Sequence, residues 1–420
     1  MKNKKTKLQN LKGFRDFLPQ QMLVRNYVKG VFIKVFTDFG FEPLKTPTLE
    51  YASTLLGKYG KNTDKLVYTF KDKGDRQIAL RYDLTVPVSK VLAIYKNQIT
   101  LPFKRYQIQP VWRAEKPQLG RYREIEQCDI DIFGPKSPIN DAEIIAIIYN
   151  ILQKLNFKKF SIRINSRQVL YQLLNSIDIK NDQNPILQSL DKLQKLGKKR
   201  VTEELIKKGL NKSKIIKIFN QLLVTKPDQY LNLVFKKLNQ LDIPKNAYIF
   251  DPTMVRGLDY YTGPIFETYV KKPTIGSITG GGRYDNLISQ LGGPNIPAVG
   301  TTIGLDRIVD CILDQNLLPQ LPTTTTKILV ANFDPKLEPK TVNLANFLRK
   351  SKIPTLLYPY QDKLSKQIKY AGKKGIPYIA ILGPDEIKNN TVTVKNLNTR
   401  TQQTISKEKL IKLLSSTHHK

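Results

Sequence analysis

Residues 113–134 read RAEKPQLGRYREIEQCDIDIFG, a charged loop that runs into a strand with two unlike faces. Side chains on a strand alternate, so Gln127, Asp129 and Asp131 share one face while Cys128, Ile130 and Ile132 share the other. The apolar face packs on a core. A face with an amide and two carboxylates must meet water or a polar ligand, because buried unpaired charge is too costly. Residues 101–113 supply the partner strand of a hairpin whose loop carries Arg121 and Arg123, with Arg113 at its mouth. Cations beside carboxylates across one hairpin suit a ligand that carries both signs of charge. A solvated charged hairpin is the plain alternative for the loop alone. The one-sided polar strand argues against it.

Upstream of the hairpin, Val24, Tyr27, Val28, Val31, Val35 and Phe36 recur at helical spacing, which predicts a helix from about Gln21 to Phe39. Gly40 ends it. The segment FEPLKTPTLE reads as extended, and Pro43 and Pro47 suit a sheet edge or an interface. VYTFKDKGDRQIAL reads as a hairpin turning at Lys73-Gly74, and RYDLTVPVSKVLAIY passes from a strand end into a helix. Downstream, residues 140–157 are helical. Residues 168–243 are helical and Lys-rich, with ten basic and three acidic residues between Leu190 and Asn220. Strands return at Tyr248. LLPQLPTTTT has linker composition. Beyond it KILVANF, PTLLYPY and PYIAIL are short buried strands alternating with two helical segments, the pattern of a small α/β domain with a mostly parallel sheet. The division expected is a core in two parts (1–167 and 244–322), a helical insertion (168–243) and a C-terminal domain (327–420).

The 420 residues include 40 % hydrophobic ones, enough for ordinary packed cores. No apolar run reaches membrane-span length. The first residues are basic without an apolar stretch, so no secretory signal is expected and the cytoplasm is the expected location. Cys128 and Cys311 stand far apart with no CxxC, which points to core packing rather than zinc or a disulfide framework. The only histidines are His418 and His419, which excludes Ser-His and Cys-His nucleophiles and histidine-ligated metals from the folded body. Lys and Arg number 69 against 35 Asp and Glu, a formal charge of +34, and such a field attracts polyanions.

Four further segments carry chemistry. In Arg81-Tyr82-Asp83-Leu84-Thr85, Asp83 can accept from an ammonium group and Thr85 adds a hydroxyl; a helix cap is the alternative. In RGLDYYTG (256–263), Tyr260 and Tyr261 offer flat walls with hydroxyls between glycines that permit close approach. TGGGRYD (279–285) suggests a flat floor under a ligand, with a flexible loop as the equal alternative, and is not a P-loop. In GLDRI (304–308), Arg307 at a helix start can meet a phosphate or stack on a base; taken alone, a surface arginine is the plainer account. In the opening hairpin Arg113 can grip a phosphate in bidentate fashion, with Gln118, Arg121 and Arg123 reaching further along a nucleotide.

Together and in this order, these segments resemble the histidyl-tRNA synthetases, a class II aminoacyl-tRNA synthetase family. KGFRDFLP lies at the start, PLKTPTLE stands as motif 1, the hairpin as motif 2 and GLDRI as motif 3. RGLDYYTG looks like the family's histidine-specific segment. The resemblance implies an α+β fold: an antiparallel sheet core with a helical insertion, plus a C-terminal α/β anticodon-binding domain. It implies L-histidine, ATP, Mg²⁺ and tRNA(His) as ligands, histidyl-adenylate as intermediate, AMP and pyrophosphate as products, and a homodimer built around Pro47. Asp83, Leu84, Thr85 and Gln127 would surround the amino group of histidine; Asp131, Tyr260 and Tyr261 would recognise its imidazole. Arg113 would bind the α-phosphate, Arg256 would bridge phosphate and carboxylate, and Gln127 would join these two as a catalytic group. Arg121 would face the outer phosphates, Arg307 would stack on adenine, and Glu115 would lie near adenine and magnesium. No transition metal is implied. The chain departs from the family at Ile125, where an aromatic that stacks on adenine is usual. Competing readings are a non-catalytic paralogue that regulates a phosphoribosyltransferase, a synthetase for another amino acid, and a general RNA-binding protein. The C-terminal domain, the RGLDYYTG segment and the acidic pocket face speak against each in turn.

Overall fold

The structure is a computed structural model that describes residues 8–59, 61–118, 120–255 and 260–415. The chain divides into two compact units. One holds the residues up to Asp16 together with Arg25–Leu318; the other holds Phe17–Val24 and the chain from Pro319 onward.

The first unit is built on an eight-stranded sheet. Its order is Glu42–Pro43, Phe103–Trp112, Glu124–Phe133, Ala298–Gly304, Thr279–Arg283, Pro264–Val270, Phe160–Ser166 and Tyr248–Phe250. All pairings are antiparallel except the outermost at each end. The hairpin at 103–133 is therefore central, and Pro43 sits on an edge, where its missing N–H costs no ladder bond. A separate three-stranded sheet pairs Leu49–Tyr51 and Thr69–Lys71 with Gln77–Leu80. The first helix, Pro19–Asp38, buries Val28, Phe32, Val35 and Phe36. The turn after it places Gly40 at φ +76°, a conformation that glycine adopts without strain. Helix Pro138–Lys154 buries Ala142, Ile144, Ile145, Ile147, Ile148 and Ile151, so both its flanks are covered.

From Arg167 to Gln240 the described residues form five helices and no strand. Their apolar residues, among them Leu187, Leu205, Ile218 and Leu222, join one core with Val86, Val88, Tyr260 and Tyr284. The helical segment is thus packed into the first unit.

The second unit carries a five-stranded sheet, ordered Thr355–Leu357, Ile328–Val330, Tyr378–Ile381, Thr391–Asn396 and Gln402–Ser406. The first three strands are parallel and the last two antiparallel. Three strands and two helices were expected, and helices Glu338–Lys350 and Leu364–Lys374 fill the two helical places. The added hairpin escapes notice because TVTVKN and QQTIS are polar on their exposed side. Val330, Ala380 and Val394 form one core face of this sheet, while Leu329, Ala331 and Ile379 form the other.

Among the described residues no helix is long and apolar enough to cross a membrane. Cys128 and Cys311 are buried free thiols.

Candidate active site

Antiparallel register decides which side chains share a face. Across the hairpin Arg105 lies opposite Asp131, Gln107 opposite Asp129 and Gln109 opposite Gln127. On the other flank Gly300, Thr302 and Gly304 oppose the same three residues. Asp131 consequently meets the Arg105 guanidinium at 2.5 Å, and the Tyr284 hydroxyl donates to it as well. Gly300 supplies the room: a Cβ there would stand 1.9 Å from Asp131 Oδ1. Tyr260 packs edge-on against Tyr284 at 5.9 Å and lies tilted against Tyr261 at 4.8 Å. Asp83 accepts from the Tyr59 hydroxyl at 2.9 Å and from the Val86 amide at 3.2 Å. The Val86 bond tethers it to the first turn of the helix Thr85–Ile94, whose N-cap is Leu84, and Asp83 also lines the cleft.

These groups form the acidic end of one cleft. Asp83, Asp129 and Asp131 are 5 %, 2 % and 3 % exposed. Burial raises the pKa of all three; Asp129, with Asp131 nearby and despite Arg105, is pushed up to about 8. Asp83 Oδ2, Gln127 Oε1 and Asp129 Oδ1 are buried without a hydrogen-bond partner. A buried polar atom left unpaired costs about 1–3 kcal/mol. Three such acceptors in one cleft call for a ligand rich in N–H donors.

The opposite end is basic. Arg113 donates to the Tyr82 carbonyl at 3.1 Å and lies 4.6 Å from the centre of the Tyr82 ring. Arg121 pairs with Glu115. Arg307 donates to the Gly120 carbonyl at 3.0 Å and to the Ser277 carbonyl. Burial, then repulsion by Arg113 and Arg121, lowers the pKa of Arg307. Three guanidinium groups that repel one another into a single cleft suit a polyphosphate. Behind them Arg25 binds Asp306 at 2.8 Å and Glu126 at 3.1 Å, and Lys29 binds Glu126 at 2.8 Å. This network ties the first helix to the hairpin and to the helix Leu305–Asp314.

Most of the expected residues converge. Asp83, Thr85, Gln127, Asp131, Tyr260 and Tyr261 line the acidic end; Arg113, Glu115, Arg121 and Arg307 line the basic end. Ile125 lines the cleft as well, opposite Val111 in the hairpin. Leu84 does not: its side chain is fully buried in the core. Arg123 also turns away from the cleft and braces the loop, donating to the carbonyls of Glu115 at 3.1 Å and Lys12 at 3.4 Å. Gln118 closes the loop through backbone bonds with Arg121, and its side chain is exposed. Arg256 and the three residues after it lie outside the described residues, as do His418 and His419. Among the described residues no cluster of three or more His, Cys, Asp or Glu side chains could hold a metal. Glu115 is the carboxylate placed at the basic end, so a magnesium ion would fit there only together with a phosphate ligand. Sequence reasoning missed Arg105, Tyr59, Tyr284 and Gly300. Arg105 had a readable signal, since Arg105, Gln107 and Gln109 alternate in FKRYQIQPVW as their partners do in EIEQCDIDIF.

The comparisons with known proteins agree along the chain. Residues 13–308 match the family model for histidyl-tRNA synthetase, and residues 327–417 match that for an anticodon binding domain. A histidine–tRNA ligase of Azobacteroides pseudotrichonymphae is 39 % identical, with 96 % of this chain and 97 % of the relative covered. The corresponding ligase of Clostridium tetani is 38 % identical, with coverage of 97 % and 98 %. The crystal structure of histidyl-tRNA synthetase from a Nostoc species superposes with a TM-score of 0.84 at 29 % identity, covering 97 % of this chain and 99 % of that one.

Proposed function

The chain belongs to the histidyl-tRNA synthetase family, and from that premise we propose that its cleft activates L-histidine with ATP and passes the histidyl group to the 3′-terminal adenosine of tRNA(His). It is an aminoacyl-tRNA ligase. The observation that carries the reading is the division of one cleft into an acidic end with unpartnered oxygens and a basic end with three guanidinium groups. Histidine is a zwitterion with a second N–H group on its ring. Its ammonium fits the acidic end, and its carboxylate then faces the phosphates held at the basic end.

A carboxylate is a nucleophile at neutral pH, so the first step needs no catalytic histidine or cysteine. It needs position and positive charge. Asp83, Thr85 and Gln127 hold the ammonium. Arg113 grips the α-phosphate as the carboxylate oxygen attacks the phosphorus and pyrophosphate leaves. Arg256 shares that task, a role that rests on the family resemblance. Arg121 turns from Glu115 to the outer phosphates, and Arg307 meets the adenine. Glu115 would hold a magnesium ion bound together with ATP, which would supply further positive charge on the phosphates. Asp131, fixed by Arg105 and Tyr284, accepts the imidazole N–H beside Tyr260 and Tyr261. A buried acceptor of this kind favours a side chain that brings the donor over one that lacks it.

The division of labour follows 1–167 and 244–322 for chemistry, 168–243 for the insertion and 327–420 for the anticodon. The basic insertion serves the tRNA acceptor arm. The exposed apolar residues Leu49, Tyr51 and Phe70 of the three-stranded sheet support a homodimer contact beside Pro47. The protein works in the cytoplasm. A regulatory paralogue is disfavoured by the second unit and by Tyr260 and Tyr261 in the cleft. The test is histidine-dependent exchange of pyrophosphate into ATP, followed by charging of tRNA(His). Exchange with histidine alone among the amino acids is expected. Exchange absent, or equally supported by another amino acid, would refute the reading.

A further inference from the structure

Asp129 stands midway along the polar face, between Gln127 and Asp131, and the mechanism above gives it no ligand. Its surroundings are those of a binding group. The side chain lines the cleft and is buried. Thr302 lies opposite it on the neighbouring strand, and Asp129 Oδ1 has no hydrogen-bond partner. Neither residue facing it on the partner strand donates to that oxygen. Arg105 pairs with Asp131 at 2.5 Å and donates to Gln107 at 3.1 Å. The Gln107 amide donates to Thr46 at 2.8 Å and to Gln109 at 2.5 Å. A carboxylate kept only to support Asp131 would be saturated by such groups, since buried polar atoms in folded proteins are almost always paired.

Resting on the reading of the cleft as a histidine site, we propose that Asp129 is a further amino-acid-binding residue whose Oδ1 accepts from the α-ammonium, alongside Asp83 Oδ2 and Gln127 Oε1. An ammonium brings three N–H donors. Asp83 Oδ2, Gln127 Oε1 and Asp129 Oδ1 are open acceptors in the cleft, whereas Asp131 lies against Arg105 and Tyr284 and serves the imidazole. Thr85 adds a hydroxyl to this end; Asp129 adds a second charge. Burial, Asp131 on the same strand and Asp83 from the turn before the helix all disfavour the ionised form of Asp129, while Arg105 on the facing strand favours it. An arriving cation offsets that burial.

The experiment compares the full-length protein with Asp129→Asn, using three probes. L-Histidine and L-histidinol carry ammonium and imidazole; 3-(imidazol-4-yl)propionate carries no ammonium. Dissociation constants come from calorimetry for the first two, and an inhibition constant in the exchange assay for the third. We expect Asp129→Asn to weaken histidine and histidinol at least tenfold and to leave imidazolepropionate inhibition unchanged or tighter. That retained inhibition also reports a folded site; should Asp129→Asn not fold, Asp129→Ser replaces it with the same expectations. Unchanged histidine affinity, or an equal loss for all three probes, overturns the proposal. Failure of the unaltered protein to bind histidine at all would instead strike the reading of the site, and the proposal with it.

Discussion

Gly300→Ala adds one methyl group where the sheet has no space for it. The new Cβ would lie 1.9 Å from Asp131 Oδ1 and 2.6 Å from both Asp131 Cγ and the Ile130 carbonyl. Contacts under 3.0 Å are essentially never made by such an atom, so the carboxylate must retreat by about 1 Å or the two strands must part. Asp131 is hemmed in by Arg105 and Tyr284, so retreat breaks the pair that aims it. Overpacking of a core costs about 1–3 kcal/mol, seen as a lower Tm. Loss of a hydrogen bond to a charged group costs about 1.5–3 kcal/mol. At about 1.4 kcal/mol per factor of ten, kcat/KM for histidine should fall roughly ten- to a hundredfold. The KM for ATP, set at the other end of the cleft, should move little. Pyrophosphate exchange titrated with each substrate reads both. A histidine kcat/KM within twofold of the unaltered protein would refute the argument that Gly300 exists to seat Asp131.

Ile125→Phe should lower the KM for ATP by giving adenine an aromatic face opposite Arg307; an unchanged or higher KM contradicts this. Asp129 has its pKa raised from the ordinary 3.8 to about 8, so the ligand-free folded state holds a proton that the unfolded chain has lost. This contribution makes stability fall as pH rises from about 4 to 8. Histidine binding near pH 7 should then release up to one proton, seen by calorimetry in buffers of different ionisation enthalpy; binding without proton release would count against it. Replacing the exposed Lys199, Arg200, Lys207 and Lys217 by Ala should weaken tRNA binding and flatten its salt dependence while sparing pyrophosphate exchange. Equal damage to both activities would sink the assignment of the insertion to tRNA.

What could be read from the sequence was whatever repeats locally. Gln127, Asp129 and Asp131 announced a polar strand face because alternation is visible in a single string. The first helix and the Lys-rich helices were legible for the same reason. Gly300 was not, since its meaning lies in facing Asp131 across a register that joins distant segments. Tyr284 and Tyr59 likewise gain their roles only when the fold brings them to Asp131 and Asp83. Leu84 shows the converse. It sits between two cleft residues, yet the turn into the helix sends its side chain into the core. Asp129 reads as a support when only its strand is known; its unpartnered oxygen emerges only when the bonds of its cross-strand neighbours are traced.

Arg121 on Glu115 and Arg307 on the carbonyls of Gly120 and Ser277 give the basic end its own internal caps. A chain with a formal charge of +34 lives among inorganic phosphate, RNA ends and metabolites that its field gathers indiscriminately. Against that crowd the caps act as a threshold. A lone phosphate can displace one of them and gains too little to stay. A ligand that presents several phosphates and a base displaces them together, so the same arginines that attract every anion retain only the one that answers all of them.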